Sequence, residues 1–100
     1  MTKFALCVRL EAKPGKEDAL KALLESALTL ANNESYTPIW FALRFGPSTF
    51  GIFDAFETEQ GRQSHLNGEI AAALKANAGE LLASVPNIEK VDILAAKAPA

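Results

Sequence analysis

Residues 38–45, Pro38-Ile39-Trp40-Phe41-Ala42-Leu43-Arg44-Phe45, and residues 49–56, Thr49-Phe50-Gly51-Ile52-Phe53-Asp54-Ala55-Phe56, flank the break Gly46-Pro47-Ser48. Two apolar runs rich in aromatic residues on either side of a Gly/Pro/Ser turn predict a β-hairpin. Seven of the eight aromatic residues lie between Tyr36 and Phe56, so this hairpin decides both the packing and any ring-shaped pocket. If Phe45 and Phe50 flank the turn, period-two alternation puts Phe41, Leu43, Phe45, Phe50, Ile52, Asp54 and Phe56 on one side. Trp40, Ala42, Arg44, Gly51, Phe53 and Ala55 then share the other.

Outward from the hairpin, the patterns change period. Phe4, Leu6, Val8 and Leu10 alternate with Ala5, Cys7, Arg9 and Glu11 as a strand does, and Lys13-Pro14-Gly15 ends it. Leu20, Leu23, Leu24, Ala27, Leu28 and Ala31 then recur at helical spacing, with Glu17, Lys21 and Glu25 on the solvated face, before the polar loop Asn32-Asn33-Glu34-Ser35. Beyond the hairpin, Thr58 is an N-cap candidate for a helix to Leu66. Asn67-Gly68 should break it before Ile70, Ala71, Leu74 and Ala78 resume the stripe, making a two-piece second helix. Asn77 and Glu80 stand at capping-box spacing, which predicts a further short turn carrying Leu81 and Leu82. After Pro86-Asn87, residues 88–95 read as a last strand and residues 97–100 as a frayed tail.

The order β-α-β-β-α-β predicts an α+β, ferredoxin-like domain spanning residues 1–100: an antiparallel four-stranded sheet with both helices on one face. One hundred residues, 49% hydrophobic and 22% charged, suffice for one core and leave no room for a second domain. The uncovered sheet face, with Trp40 and Phe53 beside Ala5, Cys7, Ala42 and Ala55, calls for a two-fold homodimer, rimmed by Arg9, Arg44, Lys90 and Asp92. A net charge of −2 supplies no basic field, so neither nucleic acid nor an anionic membrane is an expected partner. No run reaches the roughly 18 apolar residues of a membrane span. The first residues show no signal-peptide block, which points to the cytoplasm.

The chemistry-bearing residues are few. Asp54 sits between Ile52 and Phe56 on the side that should face the helices, where desolvation raises a carboxyl pKa toward the range of a general base. It could equally be a strand-end carboxylate bonded to the helix that follows. His65, the only histidine, falls just before the Asn67-Gly68 break; it is either a structural histidine or the partner of Asp54 in a shared cavity. Phe41 and Phe56 either belong to core and interface or line a flat pocket for a planar ring. One histidine and one cysteine cannot build a three-histidine, histidine-cysteine or two-histidine-one-carboxylate metal site within a chain, so no metal is expected. No Gly-rich nucleotide loop or nucleophile elbow is present, and Cys7 lies mid-strand, so a nucleotide cofactor and serine or cysteine nucleophiles are not expected either.

Residues 8–17 (Val-Arg-Leu-Glu-Ala-Lys-Pro-Gly-Lys-Glu), 39–44 (Ile-Trp-Phe-Ala-Leu-Arg), 52–56 (Ile-Phe-Asp-Ala-Phe) and 61–66 (Gly-Arg-Gln-Ser-His-Leu) resemble, in order and spacing, the antibiotic biosynthesis monooxygenase (ABM) family over nearly the whole chain. The resemblance implies a dimeric α+β barrel with a pocket between sheet and helices. It also implies a cofactor-independent monooxygenase acting on a quinol, anthrone or other phenolic ring with molecular oxygen. In such an enzyme Asp54 or His65 would take a hydroxyl proton while Phe41 and Phe56 hold the ring. Other proteins on this fold isomerise small phosphorylated carbonyl compounds or bind ligands without turnover, and both remain alternatives. The haem-degrading branch has an asparagine, a tryptophan and a histidine where this chain has Leu6, Phe56 and Leu74-Lys75, so haem is not expected.

Overall fold

A computed structural model describes residues 2–97. Its elements are β1 (Phe4–Glu11), α1 (Glu17–Asn32), β2 (Ile39–Arg44), β3 (Thr49–Phe56), α2 (Glu59–Leu66), α3 (Glu69–Leu81) and β4 (Asn87–Asp92). The four strands form one antiparallel sheet in the order β2-β3-β1-β4. This is the expected α+β, ferredoxin-like arrangement, with the second helix in two pieces. Thr58 caps α2 by accepting the Gly61 amide at 2.9 Å.

The core lies on the helix-side face. Leu20 and Leu24 of α1 pack with Val8 and Leu10 of β1 and Phe50 and Ile52 of β3, all nearly devoid of solvent contact. A second cluster, Ala27, Ala31 and Ile70, sits where α1 meets α3. The small alanines let the helices approach, and Trp40 and Leu74 touch both clusters.

Four expectations are corrected. Arg44, not Phe45, pairs with Phe50 across the hairpin. The Phe45 amide bonds the Thr49 carbonyl at 2.8 Å, while the Arg44 guanidinium donates to the Gly46 and Pro47 carbonyls and braces the turn. The pairing is thus displaced by one residue, and a one-residue displacement turns every side chain of β2 over. Trp40 now stands opposite Asp54 on the helix side, and Phe41 opposite Phe53 on the open face. The same register places Arg44 on the helix side, over the Phe50 ring at 4.8 Å. Lys90 and Asp92 pair with Leu6 and Phe4 and so join that face, which leaves Arg9 alone of the four expected rim residues on the open face.

The predicted turn at Asn77 does not interrupt α3, because the Asn77 amide finds a partner inside the helix, the Ala73 carbonyl at 2.8 Å. The last strand ends at Asp92 rather than at residue 95: its partner β1 begins at Phe4 and leaves only the Ile93 amide to bond Lys3. Lys97 is the last described residue, so residues 98–100 of the expected frayed tail lie outside the described part of the chain.

The open face carries Ile39, Phe41, Leu43, Phe53 and Cys7, with Phe45 at the turn. Phe41 is 55% and Phe45 49% exposed. Arg9 covers one side of the Phe45 ring at 4.2 Å. The ring lies so close over Gly51 that a β-carbon there would come within 2.7 Å of it and 2.6 Å of the Val8 carbonyl. Among the described residues no helix is long and apolar enough to cross a membrane.

Candidate active site

Asp54 is inward-facing because β3 alternates: Phe50, Ile52, Asp54 and Phe56 all point at the helices. Its side chain has no solvent exposure. His65 reaches it from the last turn of α2, with Nε2 2.8 Å from Asp54 Oδ2. The two residues singled out in the sequence therefore meet. The contact has ion-pair distance without full hydrogen-bond alignment, and Asp54 Oδ1 has no hydrogen-bond partner among the described residues.

The other ring nitrogen is engaged by Glu34, a residue of the polar loop after α1. His65 Nδ1 lies 2.7 Å from Glu34 Oε1, and the Thr37 hydroxyl donates to the same oxygen at 2.8 Å. The loop between α1 and β2 is held in shape by amide bonds from Glu34 to Ala31 and from Thr37 to Glu34. Glu34 and His65 side chains are 8% and 7% exposed, and Thr37 is as deeply buried. Glu34 precedes His65 by 31 positions, and a loop glutamate at that distance carries no periodic signal. The Thr three residues downstream was the one local hint.

Phe56 stacks on the His65 ring at 5.2 Å, tilted by 46°. It backs the imidazole rather than lining a pocket. Phe41, expected with Phe56 in a ring-binding pair, points to the opposite face of the sheet.

Burial pushes the Asp54 carboxyl above its ordinary range, and the neighbouring imidazole only partly opposes this. For His65, burial acts downward, but Asp54 and Glu34 outweigh it and carry the imidazole above its ordinary range. The cluster thus favours the protonated imidazole, while burial works against the ionised form of Asp54.

Asp54 and His65 form the polar end of a cavity of about 600 Å³ between α3 and the sheet. Leu6, Val8 and Ile52 make its floor, and Ile70, Leu74 and Ala78 its roof. These roof positions recur every four residues on α3, so the cavity runs along the helix. Ser84, Val85, Pro86 and Ile88 edge its far end, and Lys75 is the one lysine or arginine among the described lining residues.

A solved protein of unknown function from Nitrosomonas europaea is 72% identical, with a TM-score of 0.98; the match covers all of this chain and 97% of that one. The chain belongs to the same family as that protein. A provisionally assigned antibiotic biosynthesis monooxygenase, also from Nitrosomonas europaea, has a TM-score of 0.81 at 15% identity, over 92% of this chain and 99% of that one. Another, from Chloroflexus aurantiacus, has a TM-score of 0.74 at 16% identity, over 96% and 97% of the two chains. What they share with the present protein is the fold, and its architecture is ABM-like. No family model matches the sequence, and no curated protein does.

Proposed function

We propose that this ABM-like protein is a cofactor-independent monooxygenase that takes a hydroxyl proton from a planar phenolic or quinol-like ring bound under α3. The observation that carries the reading is Asp54 Oδ1, a buried acceptor without a hydrogen-bond partner among the described residues, where Asp54 and His65 form a polar end of an apolar cavity. A buried polar atom left unsatisfied costs about 1–3 kcal/mol, and a ligand hydroxyl would remove that cost. Loss of the proton leaves an electron-rich ring anion in surroundings where water competes poorly. Molecular oxygen then accepts two electron pairs from the ring. One oxygen atom enters the ring and the other leaves as water, so a quinol plus O2 gives a hydroxyquinone plus H2O.

The cavity supports this reading over an isomerase of phosphorylated carbonyl compounds. A phosphate needs converging donors, and among the described lining residues Lys75 is the one lysine or arginine. We further propose that the open sheet face pairs with a second copy of the chain, because Phe41 and Phe45 stand half exposed on it.

Oxygen uptake with 1,4-naphthoquinol under air, corrected for autoxidation, tests the reaction. The expected result is saturable uptake with one 18O atom from 18O2 in the quinone product, lost in Asp54→Asn. Saturable binding without uptake would replace the enzyme with a ligand-binding dimer.

A further inference from the structure

His65 has no free nitrogen: Nδ1 faces Glu34 and Nε2 faces Asp54. It can exchange a proton with a bound molecule only through one of the two carboxylates. Of these, Asp54 lines the cavity and Glu34 does not. Glu34 is also fixed more firmly. Its Oε1 receives both the Thr37 hydroxyl and the imidazole. Its Oε2 lies against Gly68, the residue that caps the start of α3, so closely that a β-carbon on Gly68 would stand 3.0 Å away.

The break between α2 and α3 adds an electrostatic reason. His65 occupies the last turn of α2, where unpaired carbonyls favour a cation. Glu34 sits at the first turn of α3, where unpaired amides favour an anion. The break therefore supports the charge separation of this particular pair. Asp54, mid-strand among Leu6, Ile52 and Phe56, receives no such support.

We propose that Glu34, held by Thr37 and by the start of α3, is a positioning residue that keeps both imidazole nitrogens of His65 donating, so that Asp54 Oδ1 alone takes the proton from the bound ring. This rests on the proton-abstraction reading above and assigns its parts. Asp54 is the catalytic base, His65 stabilises the Asp54 carboxylate before the transfer and is drawn toward Glu34 after it, and Glu34 and Thr37 never touch the substrate. The charged or titratable groups against the ring are Asp54 from β3 and Glu34 from the α1–β2 loop, with Lys75 of α3 along the same cavity; Glu34 in turn faces Tyr36 of its own loop, and Tyr36 faces Glu69 in the first turn of α3.

His65 is the only histidine, so 15N NMR of histidine-labelled protein reads it without ambiguity. In the unmodified chain at about neutral pH, both ring nitrogens should show protonated shifts. In Glu34→Gln, the amide can donate to Nδ1, and that nitrogen should move to the shift of an unprotonated one while Nε2 stays protonated. With naphthoquinol, Glu34→Gln should lower kcat by at least about tenfold, displace the pH–rate profile and leave KM nearly unchanged. Thr37→Val should do the same more weakly, and Thr37→Ser should restore the original behaviour. Should Glu34→Gln not fold, Thr37→Val supplies the same NMR readout. Identical His65 spectra in the unmodified and Glu34 or Thr37 variants would overturn the assignment. Altered spectra in a protein that never consumes quinol would uphold the positioning role and remove the monooxygenase instead.

Discussion

On the helix side of the sheet, Ile52 and Phe56 are almost wholly buried, while on the open side Phe41 and Phe45 keep about half of their surface in solvent. All four lie in one hairpin, and their side chains differ little in apolarity. The helix side encloses its apolar residues around a few polar atoms, and those atoms gain chemical character from the enclosure. The open side presents flat rings and one guanidinium, a surface suited to contact. The difference teaches that hydrophobicity alone does not separate a core position from an exposed one; the strand's pairing register does.

The largest effect that would sharpen the contrast is on stability. Phe56→Ala should destabilise the fold by about 3–5 kcal/mol, read from urea unfolding, because nothing can collapse into the space beside His65. Phe41→Ala should change the unfolding of the isolated protomer by no more than about 0.5 kcal/mol. Equal losses would break the two-face distinction.

Next is assembly. Phe41→Asp should give a monomer by light scattering under conditions where the unmodified chain is a dimer, since pairing would bury an unmatched charge. The same size for both proteins would remove the open face as the contact. Trp40 is the wrong residue for this experiment, because its register places it inside, beside Asp54.

Stability should also depend on pH, with a defined sign. His65 has a folded pKa above its ordinary 6.5, so its stabilising contribution is complete below that pH and is lost as pH rises through the folded value. Asp54, also raised, has the same sign from its ordinary 3.8 upward. Unfolding free energy should therefore decline as pH rises above 6.5, and Asp54→Asn should flatten that decline. A rise with pH that vanishes in the variant would contradict the ion-pair geometry.

How much of this was legible in the residues follows from how local each signal is. The Phe4–Glu11 alternation, the Leu20-Leu24-Ala27-Ala31 stripe and the Asn67-Gly68 break are short-range patterns, and each became an element with its expected limits nearly intact. Asp54 facing inward was readable because Phe50, Ile52 and Phe56 share its parity within one strand. The pairing of β2 was not, since it depends on how Arg44 and the Phe45 amide close a turn containing Pro47, a residue with no amide to donate. Glu34 was least legible, because its role exists only when a loop, a helix end and a strand converge.

Two smaller effects test the interior. Trp40 Nε1 is buried without a partner among the described residues, so Trp40→Phe removes an unsatisfied donor along with some packing. The two should nearly cancel, leaving a change within about 1 kcal/mol. Gly68→Ala should destabilise the fold by about 1 kcal/mol, since a β-carbon there would stand 3.0 Å from the held Glu34 Oε2 and 3.3 Å from the Ser64 and His65 carbonyls. It should also displace the His65 titration, and an unchanged titration would detach Gly68 from the site.

The hairpin turn also predicts which length changes this protein could tolerate. Adding one residue between Arg44 and Thr49 while the turn keeps its present length would slide β2 by one position against β3 and exchange its parity, sending Trp40 outward and Phe41 toward the cavity roof. Adding two would restore it. Variants of this chain that differ in turn length should therefore be viable in even steps and defective in odd ones.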